Sequence, residues 1–224
     1  MVSDVRLPRS LQAESDERAV VLLHAYYSPL AGRNIGFTGG QFDSFDPSSR
    51  RSASTNTITT DDLLSLSLLS TPVPGRAALE LLDRQRRRFE RLLEDLGPDR
   101  DLAAEHSVSE DYFAPAWALW RALNDLPGMG PTRVSKLMAR KRPKLVPIFD
   151  NVLAGTVFAG SANHWEDLWT GLRESGQALQ LRLLDVRERA GLDPSISALR
   201  VFDVCAWMDG TKNGDIAVTR FASS

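Results

Sequence analysis

Apolar residues recur at intervals of three and four along most of the chain, which predicts helices rather than strands. Residues 17–27 read as a short helix. From 28 to 56 the periodicity stops and Gly, Ser, Pro and Asn dominate, with Phe37, Phe42 and Phe45 set among Gly36, Gly39 and Gly40. So long a stretch without a pattern is unusual in a compact domain unless it carries function, and residues 50–56 are expected to be its most mobile part. Thr59-Thr-Asp-Asp62 then opens a helix: a hydroxyl cap is followed by acids in the first turn, as the helix dipole prefers. Leu63, Leu64, Leu66, Leu68 and Leu69 bury that helix on most sides, and Pro72 and Pro74 end it. A second helix over 77–96 turns Leu81, Leu82, Phe89, Leu92 and Leu93 inward and the run Arg84 to Arg88 to water.

A helix over 110–124 carries Phe113, Trp117, Trp120 and Leu123 as a core stripe. Pro131, just past a glycine turn, suits a first helical position. The helix behind it places Val134, Leu137 and Met138 inward, and Arg133, Lys136 and Arg140 on another face. Leu145 to Phe149 is extended, because Pro147 disfavours helix before it, and Asp150 caps a helix running to about 159. Two helices follow, over 164–175 and 178–190, and a last one begins near Asp193 and buries Ile196, Leu199, Phe202, Cys205 and Ala206. There is no internal repeat and no strand alternation. The predicted fold is mostly α, an orthogonal helical bundle. An irregular Gly- and aromatic-rich segment (1–56) packs on the helical domain (57–210), and 211–224 forms a tail.

Composition adds exclusions. At 224 residues, 42% apolar and 25% charged, the chain is an ordinary globular protein, with no apolar run near the roughly 20 residues that span a bilayer. The first residues lack the pattern of a signal peptide, so a cytoplasmic protein without a membrane partner is expected. One cysteine, Cys205, excludes an internal disulfide and any cysteine-based cluster. His24, His106 and His164 are too scattered for a metal site, and no nucleotide-binding loop or nucleophile elbow is present, so no metal or cofactor is expected. The net charge of −2 gives no overall attraction to nucleic acid. Basic residues nevertheless concentrate over 121–150, where Arg121, Arg133, Lys136, Arg140, Lys141, Arg142 and Lys144 face only Asp125 and Asp150.

The most specific stretch is Leu126-Pro-Gly-Met-Gly130, with Asp150 twenty residues beyond its last glycine. Gly128 and Gly130 permit backbone angles closed to other residues, and the free N–H groups of the following helix start suit a phosphate. Gly128, Met129, Gly130 and Thr132, with Arg133, Lys136 and Arg140 on the helix, are the candidate phosphate contacts. Asp150 is the candidate catalytic carboxylate, although a helix cap alone also accounts for an aspartate there. Tyr26, Tyr27, Phe37 and Phe42 are candidates by type for the wall of a base pocket; Trp117 and Trp120 fit a core.

This arrangement resembles the helix–hairpin–helix and aspartate signature of the base-excision DNA glycosylase superfamily, over about residues 117–157, with the hairpin at about 113–140. The resemblance implies duplex DNA as partner and hydrolysis of an N-glycosidic bond assisted by Asp150. Thr132 stands where bifunctional members carry a catalytic lysine, so the implied activity is monofunctional. Asn151 and Val152 replace the Thr-His that usually follows the aspartate, and the superfamily's four-cysteine cluster is absent. Thr38 to Asp43, Thr59 to Leu63 and Ala139 to Pro143 instead resemble an uncharacterised bacterial domain family. Two other functions fit the same residues: a non-catalytic nucleic-acid-binding module, and a protein–protein adaptor in which the glycine corner is structural and residues 26–45 meet a partner.

Overall fold

A computed structural model describes residues 5–12, 16–29, 36–158 and 164–222. Its elements are helices, and no strand occurs among the described residues. They are α1 (Arg9–Gln12), α2 (Glu17–Tyr27), α3 (Thr60–Leu68), α4 (Gly75–Leu79), α5 (Arg86–Leu96), α6 (Ala114–Asn124), α7 (Gly130–Lys141), α8 (Asn151–Thr156), α9 (His164–Arg189), α10 (Ala198–Gly210) and α11 (Asn213–Ala222). Helix α10 is the axle. Its residues from Ala198 through Ala206 are all buried, and α1, α2, α8, α9 and α11 pack around it. A helix apolar on every side belongs inside.

Local chemistry sets most boundaries. Thr59 and Asp62 form a reciprocal capping box at the start of α3. Ser197 caps α10 by accepting from the Arg200 amide at 3.1 Å. The expected helix over 77–96 is interrupted: a π-turn over Glu80–Arg84 separates α4 from α5, and Phe89, Leu93 and Leu96 face inward below it. Helix α9 consists of two limbs, because Ser175, Gly176 and Gln177 take left-handed angles where the sequence predicts a break. Trp117 and Trp120 of α6 pack on Trp165 of α9, with ring centres 4.5 and 5.5 Å apart. The segment expected as a tail is instead helix α11, held to α2 by Arg18, which reaches Asp209 and Asp215 at 2.9 Å each.

The larger correction concerns the basic run. Positions 134–142 are buried without a break, so Lys136 and Arg140 do not form a solvent-facing stripe. Arg140 donates to Asp62 Oδ1 at 3.2 Å and to the Phe42 carbonyl at 2.6 Å, and also bonds the Phe45 carbonyl. Lys141 Nζ donates to Asp62 Oδ2 at 2.9 Å and to the carbonyls of Ser54 and Thr57 at 2.7 and 2.9 Å. Arg142 reaches the carbonyls of Thr55, Leu93 and Gly97. Residues 50–56, expected to be mobile, are thereby tied to α7. Residues 30–35 of the same irregular stretch lie outside the described residues.

Asp62 is the carboxylate on which Arg140 and Lys141 converge, and its side chain is 3% exposed. Removing one partner of a buried ion pair strands the other charges and costs about 3–5 kcal/mol. Asp62→Ala is therefore expected to lower unfolding free energy by about that amount in urea titration. A loss within the roughly ±0.5 kcal/mol typical of surface substitutions would refute this role.

Candidate functional site

Asp150 is placed by two neighbours in the chain and one helix behind it. Its extended backbone starts α8, and Oδ1 accepts from the amides of Val152 and Leu153 at 2.9 and 3.0 Å. Ser135 of α7 clasps the residue before it: Ser135 Oγ accepts from the Phe149 amide at 3.0 Å. The next residue on α7, Lys136, points at the same place. Its Nζ donates to the Leu69 carbonyl at 3.2 Å and stands 3.9 Å from Asp150 Oδ2. Burial lowers the Lys136 pKa from its ordinary value, opposed by the charges of Asp150 and Asp203.

The opposite side is organised by Arg200 of α10. Its Nε donates to Asp43 Oδ2 at 2.9 Å, one Nη to Asp203 Oδ2, and the other to Tyr26 OH and the Gly39 carbonyl at 3.0 Å each. The turn over Thr38–Gln41 is thus pinned against α2 and α10. A Cβ at position 39 would lie 2.1 Å from Tyr26 OH, so any larger residue would displace the Tyr26 ring from Arg200. Burial pushes the Asp203 carboxyl up to about 6, against the pull of Arg200.

Between these groups lies a cavity of about 190 Å³. Lys136, Asp150, Arg200 and Asp203 supply its charged lining, and Leu68, Leu69, Ile148 and Val204 its aliphatic lining. Tyr26, Phe37 and Trp207 form an aromatic wall: Tyr26 and Phe37 stack at 5.4 Å, and Trp207 meets both edge-on at 6.1 and 5.7 Å.

Of the residues singled out from sequence, Asp150, Lys136, Tyr26 and Phe37 meet at this cavity. Tyr27 and Phe42 do not: Tyr27 OH donates to Asp43 at 3.1 Å, and Phe42 lies in the core beneath the Arg140 and Arg200 guanidinium groups. The glycine corner joins α6 to α7. Gly128 and Gly130 both have positive φ, 79° and 61°; a Cβ at Gly128 would press on Pro74 at 2.9 Å, whereas the space beside Gly130 is open. Met129 is buried rather than presented outward. Arg133 ties the corner down, donating to the Pro72 and Gly128 carbonyls at 2.8 and 3.1 Å. The Thr132 carbonyl lies 3.1 Å from Ser135 Oγ. Arg140 stands behind the cavity, bonded to Asp62, and reaches no surface. Sequence reasoning missed Arg200, Asp203 and Trp207. The signal for Arg200 and Asp203 was two charges three residues apart in the mostly apolar first half of the helix. Asp43 stands out in the sequence only as the end of the Thr38 to Asp43 segment.

His164 begins α9 behind Asp150, and its ring stacks on Phe149 at 4.4 Å among Trp120, Phe158 and Trp165. Among the described residues, no group of three or more His, Cys, Asp or Glu side chains gathers to hold a metal.

Residues 19–210 match a family of unknown function (DUF6308), and the chain belongs to that family. Comparison with curated proteins and comparison with solved structures give no match.

The environment of His164 makes stability pH-dependent. Burial lowers its pKa from 6.5 to about 4. Between those values the unfolded chain binds the extra proton, so this contribution to stability is complete above 6.5 and is lost as pH falls toward 4. From pH 7 to pH 5 the native protein is expected to lose about 2 kcal/mol that His164→Phe does not lose. Urea titrations of both at the two pH values measure this, and parallel pH dependence would refute it.

Proposed function

We propose that this member of the family cleaves the N-glycosidic bond of a nucleotide unit, its base held in the cavity and Asp150 acting as the essential carboxylate. The observation that carries the reading is the division of labour within Asp150. One oxygen is spent on the two α8 amides, which fixes the side chain, while Oδ2 is left 3.9 Å from Lys136 Nζ, and both residues line the cavity. Breaking the bond builds positive charge on the sugar, and a fixed carboxylate beside that ring lowers its energy without having to reorganise. The cavity is smaller than the roughly 300 Å³ at the low end of drug-sized pockets. Its 190 Å³ therefore suits a single ring system such as one extruded base, stacked on Phe37 or Trp207.

The resemblance to helix–hairpin–helix glycosylases supports a nucleic-acid substrate. In that reading, open space beside Gly130 lets a backbone phosphate approach the start of α7, which no side chain caps. A second reading, a free nucleoside or nucleotide as substrate, is favoured by the burial of Lys136, Arg140, Lys141 and Arg142. These cations are spent inside the fold and give a strand no basic track.

Release of free base from a panel of damaged duplexes and a panel of free nucleosides tests the proposal. Wild type is expected to release base, and Asp150→Asn to do so at least about 10²-fold more slowly. Release from duplexes alone selects the first substrate class, and release from nucleosides alone the second. No release from either panel overturns the reading.

A further inference from the structure

Two acids and two cations line the cavity: Asp150 and Asp203 with Lys136 and Arg200. Arg200 is also bonded to a third carboxylate, Asp43, outside the lining, so one guanidinium serves two carboxylates. The geometry indicates which carboxylate is met least as an anion. Negative charge on Asp43 is met by Arg200 Nε at 2.9 Å and Tyr27 OH at 3.1 Å. Negative charge on Asp150 is met by two amides at a helix start and by Lys136. Asp203 is bonded through Oδ2 alone, to an Arg200 already engaged with Asp43, Tyr26 and Gly39. Its other oxygen has no hydrogen-bond partner among the described residues, and its side chain, 7% exposed, lines the cavity.

Resting on the reading of Asp150 given above, we propose that Asp203 is the acid of the same reaction and delivers its carboxyl proton to the departing base nitrogen. As the C–N bond breaks, its electron pair goes to the nitrogen, which takes the Asp203 proton. The sugar cation, held against Asp150, then accepts a water oxygen, and the proton lost by that water returns to Asp203. The sum is hydrolysis, with both side chains restored. Two carboxyl groups in one cavity thereby divide the work, as their surroundings favour opposite protonation states. The groups that set the charge at Asp203 come from four elements: Arg200 on its own helix, Tyr26 on α2, Lys136 on α7 and Asp150 at the start of α8. Burial places the carboxyl near 6, which agrees with its single shared guanidinium partner.

An acid is needed only when the base leaves as an anion. The test compares a neutral purine with an N7-methylated purine, which already carries positive charge, in whichever context wild type cleaves, duplex or nucleoside. Wild type is expected to show a rate that falls above about pH 6 for the neutral base, and no such fall for the cationic one. This comparison needs no variant. Asp203→Asn is expected to lose about 10²- to 10⁴-fold on the neutral base and less than about 10-fold on the cationic one. Asp150→Asn loses activity on both. An identical pH limb for the two bases overturns the assignment, as does an equal loss in a folded Asp203→Asn or cleavage of the cationic base alone. In those cases the role of Asp150 stands. Cleavage of neither base by wild type removes both.

Discussion

Three consecutive cations, Arg140, Lys141 and Arg142, lie inside this protein, and every hydrogen bond they make must be supplied by the chain itself. A buried charge is tolerable only when it is paired and its donors are filled. Asp62 supplies the one carboxylate that Arg140 and Lys141 share. The Asn56 side-chain oxygen takes one Arg142 donor, and main-chain carbonyls take others, at Phe42, Asp43, Phe45, Ser54, Thr55 and Thr57 on one side and at Leu93 and Gly97 on the other. The exchange is mutual. An irregular segment has no ladder to satisfy its carbonyls, so it can be enclosed only where donors come to meet it. Here the donors are side chains of α7 and of Arg142, the residue that ends it, and the segment they hold is the one that carries Phe37 and Gly39 to the cavity.

Arg200 plays the corresponding part on the far side of that segment. It joins α2, the 38–43 turn and α10 through one planar group whose donors point in fixed directions. The result is a polar pocket at the seam between an irregular covering and a helical body, with two carboxylates in unlike surroundings. Aromatic side chains close the seam above, and the Ser135–Phe149 clasp holds the floor at Asp150 in register with Lys136.

Helix positions followed from periodicity, and several ends from chemistry visible in the sequence: the hydroxyl at Thr59, the carboxylate at Asp150 and the glycine at 176, where α9 breaks. Asp150, Lys136, Tyr26 and Phe37 could be picked out by residue type and spacing. The sidedness of α7 could not. Arg133, Lys136 and Arg140 at intervals of three and four describe a stripe, but spacing does not say whether water or protein lies beyond it, and the structure puts protein there. Leu69, Asp62 and Phe42, which meet Lys136 and Arg140, are 67 to 98 positions away in the chain, beyond any local pattern. Arg200 and Asp203 were hidden for a related reason. Within an apolar helix they read as interruptions until Asp43, 157 positions earlier, is brought against them. Helix α11 was missed because its short sequence has little apolar repetition of its own, and Arg18 anchors it through Asp215.

The cavity draws its walls from Tyr26, from positions 37–39 and 68–70, from 136, 148 and 150, and from α10, which together sample most of the length of the chain. No contiguous excerpt of the polypeptide reproduces it. An occupant would touch pieces that meet only when folding is complete, so it would bind the native state and not the unfolded one, and its binding energy would be shared by the whole molecule. Depriving the protein of that occupant would then lower the resistance of every helix to unfolding together, including those far from the occupant.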